Sequence, residues 1–585
     1  MSEYIIKGGY VYDPKQKIKG DVKDICIKDG KIVESVSKKA QEIDAKGKAV
    51  MAGGVEIHSH VAGPKVNEGR IIRPEDKLRP RGSGLSMEGG NSIFTNKPRA
   101  SEHTRIEGGN SVPTTFKTGY QYSRMGYTTC MEAAMPPFYA RHTHEEIRDT
   151  PLLDQGAFPV FGNNWFVFEY LKNNEFENTA AYISWVLRAT KGYAIKIVNP
   201  GGSEAWGWGE NCNSIHDTVP YFDITPGEIV SGLLKVNEQL GLPHSIHVHS
   251  NNLGNPGNYE TTLDTIRLAE GVKTNNKFGR DHTFHHTHIQ FHSYGGTNWL
   301  NFESKAKEIM NYVNQHDNVT IDLGCVTLDE TTTMTADGPF EHHLTQINNL
   351  KWTNVDVELE ASSGVVPFVY DPDIKVCAIQ WAVGLELGLL AKDPMRTYIT
   401  TDHPNGGPFT RYPALFSWFM NAKIRREMLE GFKHSEQVIA ATELYGIDRE
   451  IDLYEFAAMT RAGPAKALGM GDVTGALVEG MTADISIYDI NDDVLKNPNA
   501  APDIEKAFTN ATHTFKNGVL VSQDGIIVGS TPKRTYWVDV KVPENKQVKR
   551  DVEMKFLKYY SLNLANYAVT DHFAPNPEVI HVDAT

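Results

Sequence analysis

The chain has 585 residues, 40% of them hydrophobic and 22% charged, with a formal net charge of −15. That composition is globular and too long for one simple core. Its acidity argues against nucleic acid as a partner, because phosphate backbones need clustered Lys and Arg. The chain has no run of about 18 apolar residues to span a bilayer, and "MSEYIIKGGYVYD" lacks the basic and apolar regions of a signal peptide, so the expected setting is the cytoplasm.

In chain order, residues 1–49 read as short strands. "YIIKGGYVYDP", "DICIKDGKIVESV" and "EIDAKGKAVMAG" alternate apolar and polar residues around Gly and Asp turns. Residues 50–470 mix strand-like runs with helical periodicity, the pattern of an α/β protein. After 470 short strands return, in "TGALVEGMTADISIYD" and "ATHTFKNGVLVSQDGIIVG", so residues 471–538 are expected to join 1–49 in one small β domain. Residues 539–585 form the tail, where Val548, Val552, Phe556 and Tyr560 at i+4 spacing predict an amphipathic helix that docks on the body or on a partner.

The stretch from Val61 to Thr118 fits neither strand nor helix and reads as a long insertion. Between Arg70 and Arg105 it carries eight Lys/Arg against four Asp/Glu. It is either a solvated surface insertion or a lid or groove for an acidic ligand.

The five cysteines are scattered, with no Cys-x-x-Cys pair, which argues against a disulfide framework or an iron–sulfur site in this chain. The 22 histidines, by contrast, cluster. In "GGVEIHSHVAG", His58 and His60 share one face of a strand, a pattern that points to metal ligation, since neutral imidazole is the commonest metal ligand. In "HSIHVHSNN", His247 and His249 share a face, and in "DHTFHHTHIQFHSYGG", His286 and His288 do so beside His282, His285 and His292. Most of these rings must be structural, because a metal site needs few ligands. Asp402, in "RTYITTDHPNGGPF", follows an apolar strand and is either a turn cap or an acid of the site. Lys196 interrupts the apolar run of "GYAIKIVNPGG". A buried ammonium must pair, snorkel to the surface, lose its charge or be modified. Asn199, Asn251 and Arg411 stand just past strand ends, where they could cap the chain or bind substrate.

Taken in order, His58 and His60, Lys196, a His on each of two later strands and Asp402 resemble the amidohydrolase superfamily. So does "TRAGPAKALGMGDVTGALVEGMTADISIYD", where the chain would re-enter the small domain. The resemblance implies a (β/α)8 TIM barrel with a small β-sandwich domain built from both chain ends. It also implies two divalent metal ions, usually zinc, held by His58, His60, carboxylated Lys196, His249, His288 and Asp402. The His-x-Asn and His-apolar-polar patterns of related members favour His249 and His288, with His247 and His286 as alternatives.

At a finer level "GGVEIHSHVAGPKVN", "IKIVNPGG", "HVHSNNLGNPGNYETT", "HHTHIQFHSYGG" and "TTDHPNGGPFTRYP" resemble the amidohydrolase-type subunit of formylmethanofuran dehydrogenases. A similar subunit occurs in the bacterial formyltransferase/hydrolase complex. That family's reaction is reversible: formate condenses with the amine of methanofuran, and Asp402 would act as acid and base as well as ligand. Its partners are iron–sulfur subunits and a tungsten- or molybdenum-containing formate-forming subunit. Methanofuran carries a polyanionic tail, for which Arg73, Arg79 and Arg81 of the basic insertion are candidate contacts. The rivals are a hydantoinase- or dihydroorotase-type cyclic amidohydrolase, which would share the ligands, and a scaffold subunit with a degenerate barrel.

Overall fold

A computed structural model of the protein describes residues 3–72, 111–275, 277–348 and 364–584. Arg73, Arg79 and Arg81, with most of the basic stretch, lie outside the described residues. The insertion is not wholly irregular, contrary to what its residue spacing suggests: its two ends are helical, at Pro64–Ile72 and Thr115–Arg124. Thr114 starts the second helix by accepting from Lys117 N, a local cap that hydrophobic periodicity does not register.

The centre of the molecule is parallel sheet. Strands β1 (Gly54–Ser59), β2 (Tyr127–Met135) and β3 (Asp154–Pro159) pair in succession. Strands β4 (Lys196–Val198), β5 (Ile246–His249), β6 (Phe284–His286), β7 (Val319–Asp322) and β8 (Thr397–Tyr398) form a second parallel run in the same order. Two isolated parallel bridges join the runs, Val160 to Lys196 at one side and Ser59 to His403 at the other.

Every residue of these eight strands is buried. Parallel strands covered on both faces are expected to be nearly continuous in Val, Ile and Leu. Here Glu56, His58, Lys196, His247, His249, His285, His286 and Asp322 interrupt that pattern.

Helices link consecutive strands, and local signals set their ends. Pro226–Leu240, between β4 and β5, starts behind Thr225, which accepts from Glu228 N while the Glu228 carboxylate accepts from Thr225 N. It stops at Gly241, whose φ of 72° suits a residue without a Cβ. Lys375–Leu390, between β7 and β8, is apolar on all sides and almost wholly buried, as a core helix should be.

Two expected strand stretches end early. Strand β6 stops at His286, and the chain turns through His288 at φ 33° into a short helix at Ile289–His292. His288 therefore reaches its position from a left-handed turn and not from a strand face shared with His286. Strand β8 ends at Tyr398, and Asp402 likewise sits in a turn, at φ 50°.

A separate nine-stranded sheet takes strands from both chain ends. Ala49–Ala52 pairs antiparallel with Ile485–Tyr488, joining five strands from residues 4–52 to four from 485–527. Its own core includes Ile6, Val11, Ile27, Ile485, Ile487 and Phe515. The strand Thr535–Lys541 straddles the boundary expected at 538. It meets β3 at Gln155 and pairs along its length with Pro577–Asp583. The helix Lys546–Tyr559 buries Val548, Val552 and Phe556 against the body, where Lys555 pairs with Glu169 at 2.6 Å.

Candidate metal centre

The side chains at the ends of the parallel strands converge. His58 Nε2 lies 2.8 Å from Asp402 Oδ1, and His60 Nε2 lies 3.2 Å from the same oxygen. These three residues each offer a ligand atom within 4.8 Å of the others. So do His249, His288 and His292, and so do His58, His247 and Asp322. The first two groups are contiguous, because the His288 ring centroid is 5.3 Å from that of His58 and 4.8 Å from that of His249. Two clefts open beside them. One is lined by His249, His288, Phe340, Asp402 and Asn405, the other by His60, Gly63, Lys65, Glu132 and Tyr139.

Most of the predicted ligands have a partner that holds them. His60 Nδ1 is 3.2 Å from Glu132, whose other carboxylate oxygen accepts from Val61 N and Ala62 N. His249 Nε2 is 3.1 Å from Asp337. The backbone N of His288 donates to Asp322 Oδ1 at 3.0 Å, which fixes the left-handed turn. Asn405 donates to Asp402 Oδ2 at 2.9 Å. The His288 ring is held only through its backbone, its Nδ1 having no hydrogen-bond partner, and Lys196 is the one cation among them. Its ammonium is buried in the same interior, and Nζ has no hydrogen-bond partner.

The electrostatics follow from burial. Burial and the nearby Lys196 charge push His58 down to about 4, so the ring is neutral and able to ligate. Burial works the other way on Asp402, but His288 and His58 outweigh it and hold the carboxyl well below its ordinary range. Burial brings Lys196 down to about 7 despite the pull of Asp402 and Asp322. Glu56, beneath His58, is pushed up to about 8 by burial, although it accepts from Tyr412 Oη and His58 N.

His58, His60, Lys196, His249, His288 and Asp402 therefore occupy one interior. The two alternatives face other partners. His247 Nε2 is 2.8 Å from His58 Nδ1, on the side away from Asp402, and His286 Nε2 is 3.0 Å from Ser250 Oγ. Asn199 and Asn251 are buried and bonded to each other, Nδ2 of Asn251 donating to Oδ1 of Asn199 at 2.8 Å. Asn199 also donates to Asp337 at 3.1 Å, so the pair touches the support of His249. Arg411 stands apart, half-exposed and paired with Asp329 at 3.0 Å.

Sequence reasoning missed Glu132, Asp322, Asp337 and His292 as parts of this centre. Glu132 and Asp322 carried the signal that exposed Lys196, a charged residue inside an apolar strand run, in "TTCMEAAM" and "NVTIDLG". Asp337 follows the hairpin strand Glu330–Thr335, and its closeness to His249 is purely tertiary.

Comparison with known proteins shows the family. Residues 41–522 match the model of the amidohydrolase family. The chain is 54% identical over 586 residues to Protein FwdA of Methanocaldococcus jannaschii, covering 100% of this chain and 99% of that one. It is 34% identical over 587 residues to a subunit of the formyltransferase/hydrolase complex Fhc of Methylorubrum extorquens, covering 97% of each. The X-ray crystal structure of that organism's FhcABCD complex with methylofuran matches with a TM-score of 0.85 and 33% identity, over 99% of both chains.

Proposed function

The chain belongs to the amidohydrolase family, and from that membership we propose that it is the amide-cleaving and amide-forming subunit of a formylmethanofuran dehydrogenase complex. It would hydrolyse N-formylmethanofuran to formate and the free amine, and in reverse condense formate with that amine. The eight parallel strands and their two bridges support reading the centre as one (β/α)8 barrel, whose active sites lie at the C-terminal strand ends. The residues already gathered there fit that expectation.

The observation that carries the proposal is the donor set around a partnerless lysine. Buried ammonium groups are paired, because leaving one unpaired is costly. Lys196 is the exception, and carboxylation would resolve it: neutral Nζ attacks carbon dioxide, a C–N bond forms, one proton leaves, and the resulting carbamate is an anion. His58, His60 and Asp402 would hold one divalent cation and His249 and His288 a second, zinc suiting these ligands, and the Lys196 carbamate would be a further anionic ligand. Such ions supply Lewis acidity and can lower the pKa of water from 15.7 to about 7.

The chain's own residues do the rest. Asp402, ionised and held by Asn405, would take the proton of the attacking water at its Oδ1 carboxylate and give it to the departing amine nitrogen. Breaking the C–N bond leaves formate and amine, and running the same proton transfers backwards makes the amide. Glu132 and Asp337 keep His60 and His249 in place while this happens. The partners would be iron–sulfur subunits and a formate-forming tungsten or molybdenum subunit, consistent with the lack of any cysteine cluster here. The polyanionic tail of methanofuran would lie along Arg73, Arg79 and Arg81, so charge reversal there should raise KM for methanofuran.

The test is formate release from N-formylmethanofuran by the full chain, supplied with zinc and bicarbonate, beside Asp402→Asn. Release that disappears in the variant is expected. Release from a cyclic amide and none from the formyl compound would replace this reading with a hydantoinase-type one.

A further inference from the structure

The interior beneath the centre holds three imidazoles in series where a barrel of this kind is usually filled with branched apolar side chains. The carbonyl oxygen of Ala467 lies 2.7 Å from His244 Nδ1, His244 Nε2 lies 3.1 Å from His247 Nδ1, and His247 Nε2 lies 2.8 Å from His58 Nδ1. The free end of the series, His58 Nε2, faces Asp402.

We propose that this series is a tautomer relay: the Ala467 carbonyl, acting through His244 and His247, fixes His58 with its proton on Nδ1 and its lone pair on Nε2, ready to ligate. Counting protons along the series fixes each ring. A neutral imidazole has one N–H and one acceptor nitrogen. The Ala467 carbonyl can only accept, so His244 donates from Nδ1 and its Nε2 becomes an acceptor. His247 must then donate from Nδ1 to His244, which leaves its own Nε2 to accept from His58 Nδ1. His58 Nε2 carries no proton, and its lone pair points at the centre. A metal-bound histidine almost always donates its other N–H to a fixed partner. Here that partner is a second imidazole whose state is set by a backbone group two rings away.

Two other groups face His58 Nδ1: the Thr287 hydroxyl lies against it, and Asp322 Oδ2 stands 4.0 Å away. Asp322 can only accept from that proton, and the Thr287 hydroxyl, which can donate or accept, acts as an acceptor in the relay. His285 packs beside His247, with ring centroids 4.5 Å apart, but bonds to Thr320 and Asp322 instead. His244 and His247 are thus positioning residues, not ligands.

The inference rests on the metal reading above, and the tests keep the two apart. His244→Leu removes the acceptor for His247, whereas His244→Gln offers an amide oxygen to His247 from a side chain that can still reach the ring's place. With the full chain titrated with zinc against a chelator, we expect His244→Leu to weaken zinc binding on the order of 10- to 100-fold and His244→Gln to restore most of it. Cobalt-loaded protein should show altered visible absorption in the Leu variant. Unchanged zinc affinity and cobalt spectrum in folded His244→Leu would overturn the relay, while a wild-type chain that binds no zinc would overturn the metal reading. Neutron diffraction from the wild-type protein needs no variant. Deuterium on Nδ1 of His244, His247 and His58 is expected, and deuterium on Nε2 of His244 or His247 would overturn the proposal even if every variant misfolds.

Discussion

Two buried charged clusters in this molecule are solved in opposite ways. Where the nine-stranded sheet meets the start of β3, Lys516 Nζ lies 2.7 Å from Asp154 and 2.9 Å from Asp484, and Arg534 Nε donates to Asp154 at 2.8 Å. Burial would push Asp154 up, but Lys516 and Arg534 outweigh it and hold the carboxyl below its ordinary range. Every charge there is satisfied within the chain. At the other cluster Lys196 is equally buried and has no hydrogen-bond partner, and two carboxylates face neutral imidazoles. The paired cluster is complete as protein. The unpaired one adjoins the candidate metal-binding groups.

The largest effect should come from Asp402→Asn. The variant keeps the shape but cannot carry the proton, so formyl-amide turnover should fall about 10²- to 10⁴-fold, with urea-unfolding midpoints close to wild type. Next in size is Lys516→Met, which leaves Asp154 and Asp484 buried against Arg534 alone. Breaking a buried pair in this way costs about 3–5 kcal/mol, measurable by urea denaturation, while zinc bound per folded molecule should not change.

Acidification acts on the buried histidines and leaves the paired cluster intact, without a mutation. Burial holds His144 and His282 at about 4, so both are neutral when folded. The unfolded chain takes up their protons first, near pH 6.5. Their contribution is therefore full above that pH and is lost as pH falls from about 6.5 to about 4, on the order of 3 kcal/mol for each ring. The Asp154 pairing survives through that window, since its pKa is lowered, and fails only below the ordinary carboxylate range. Urea midpoints measured from pH 7 to 4 should decline steadily, and the double variant His144→Gln, His282→Gln should lose the share of that decline that belongs to these two rings, the other buried histidines supplying the rest.

Lys196→Met sharpens the contrast further. Without zinc or bicarbonate it should be neutral to slightly stabilising, because no bond is lost and a buried charge is removed, yet it should bind less zinc by elemental analysis. A destabilisation as large as that of Lys516→Met would show that Lys196 is an ordinary structural ammonium. Smallest of all is Arg411→Ala. It breaks a half-exposed ion pair with Asp329 and should change stability by less than about 1 kcal/mol, leaving zinc binding intact.

The sequence by itself determined the α/β pattern, the spacing of His58 and His60, and the anomaly of Lys196, because each is local. A strand's period of two or a charge inside an apolar run can be read without knowing what lies opposite. It also carried the order of motifs that resembles the amidohydrolases. Only the tertiary structure showed how the surroundings of His249 and His247, and of His288 and His286, differ, because residues two apart in sequence look alike until their neighbours are known. His247 proved to face His58, and His288 left the strand through a left-handed turn held by Asp322. Only the tertiary structure brought Asp337 to His249 across 88 positions, and Lys516 to Asp154 across 362. Pairings at such distances are set by how the strands assemble, and no window of sequence contains both partners.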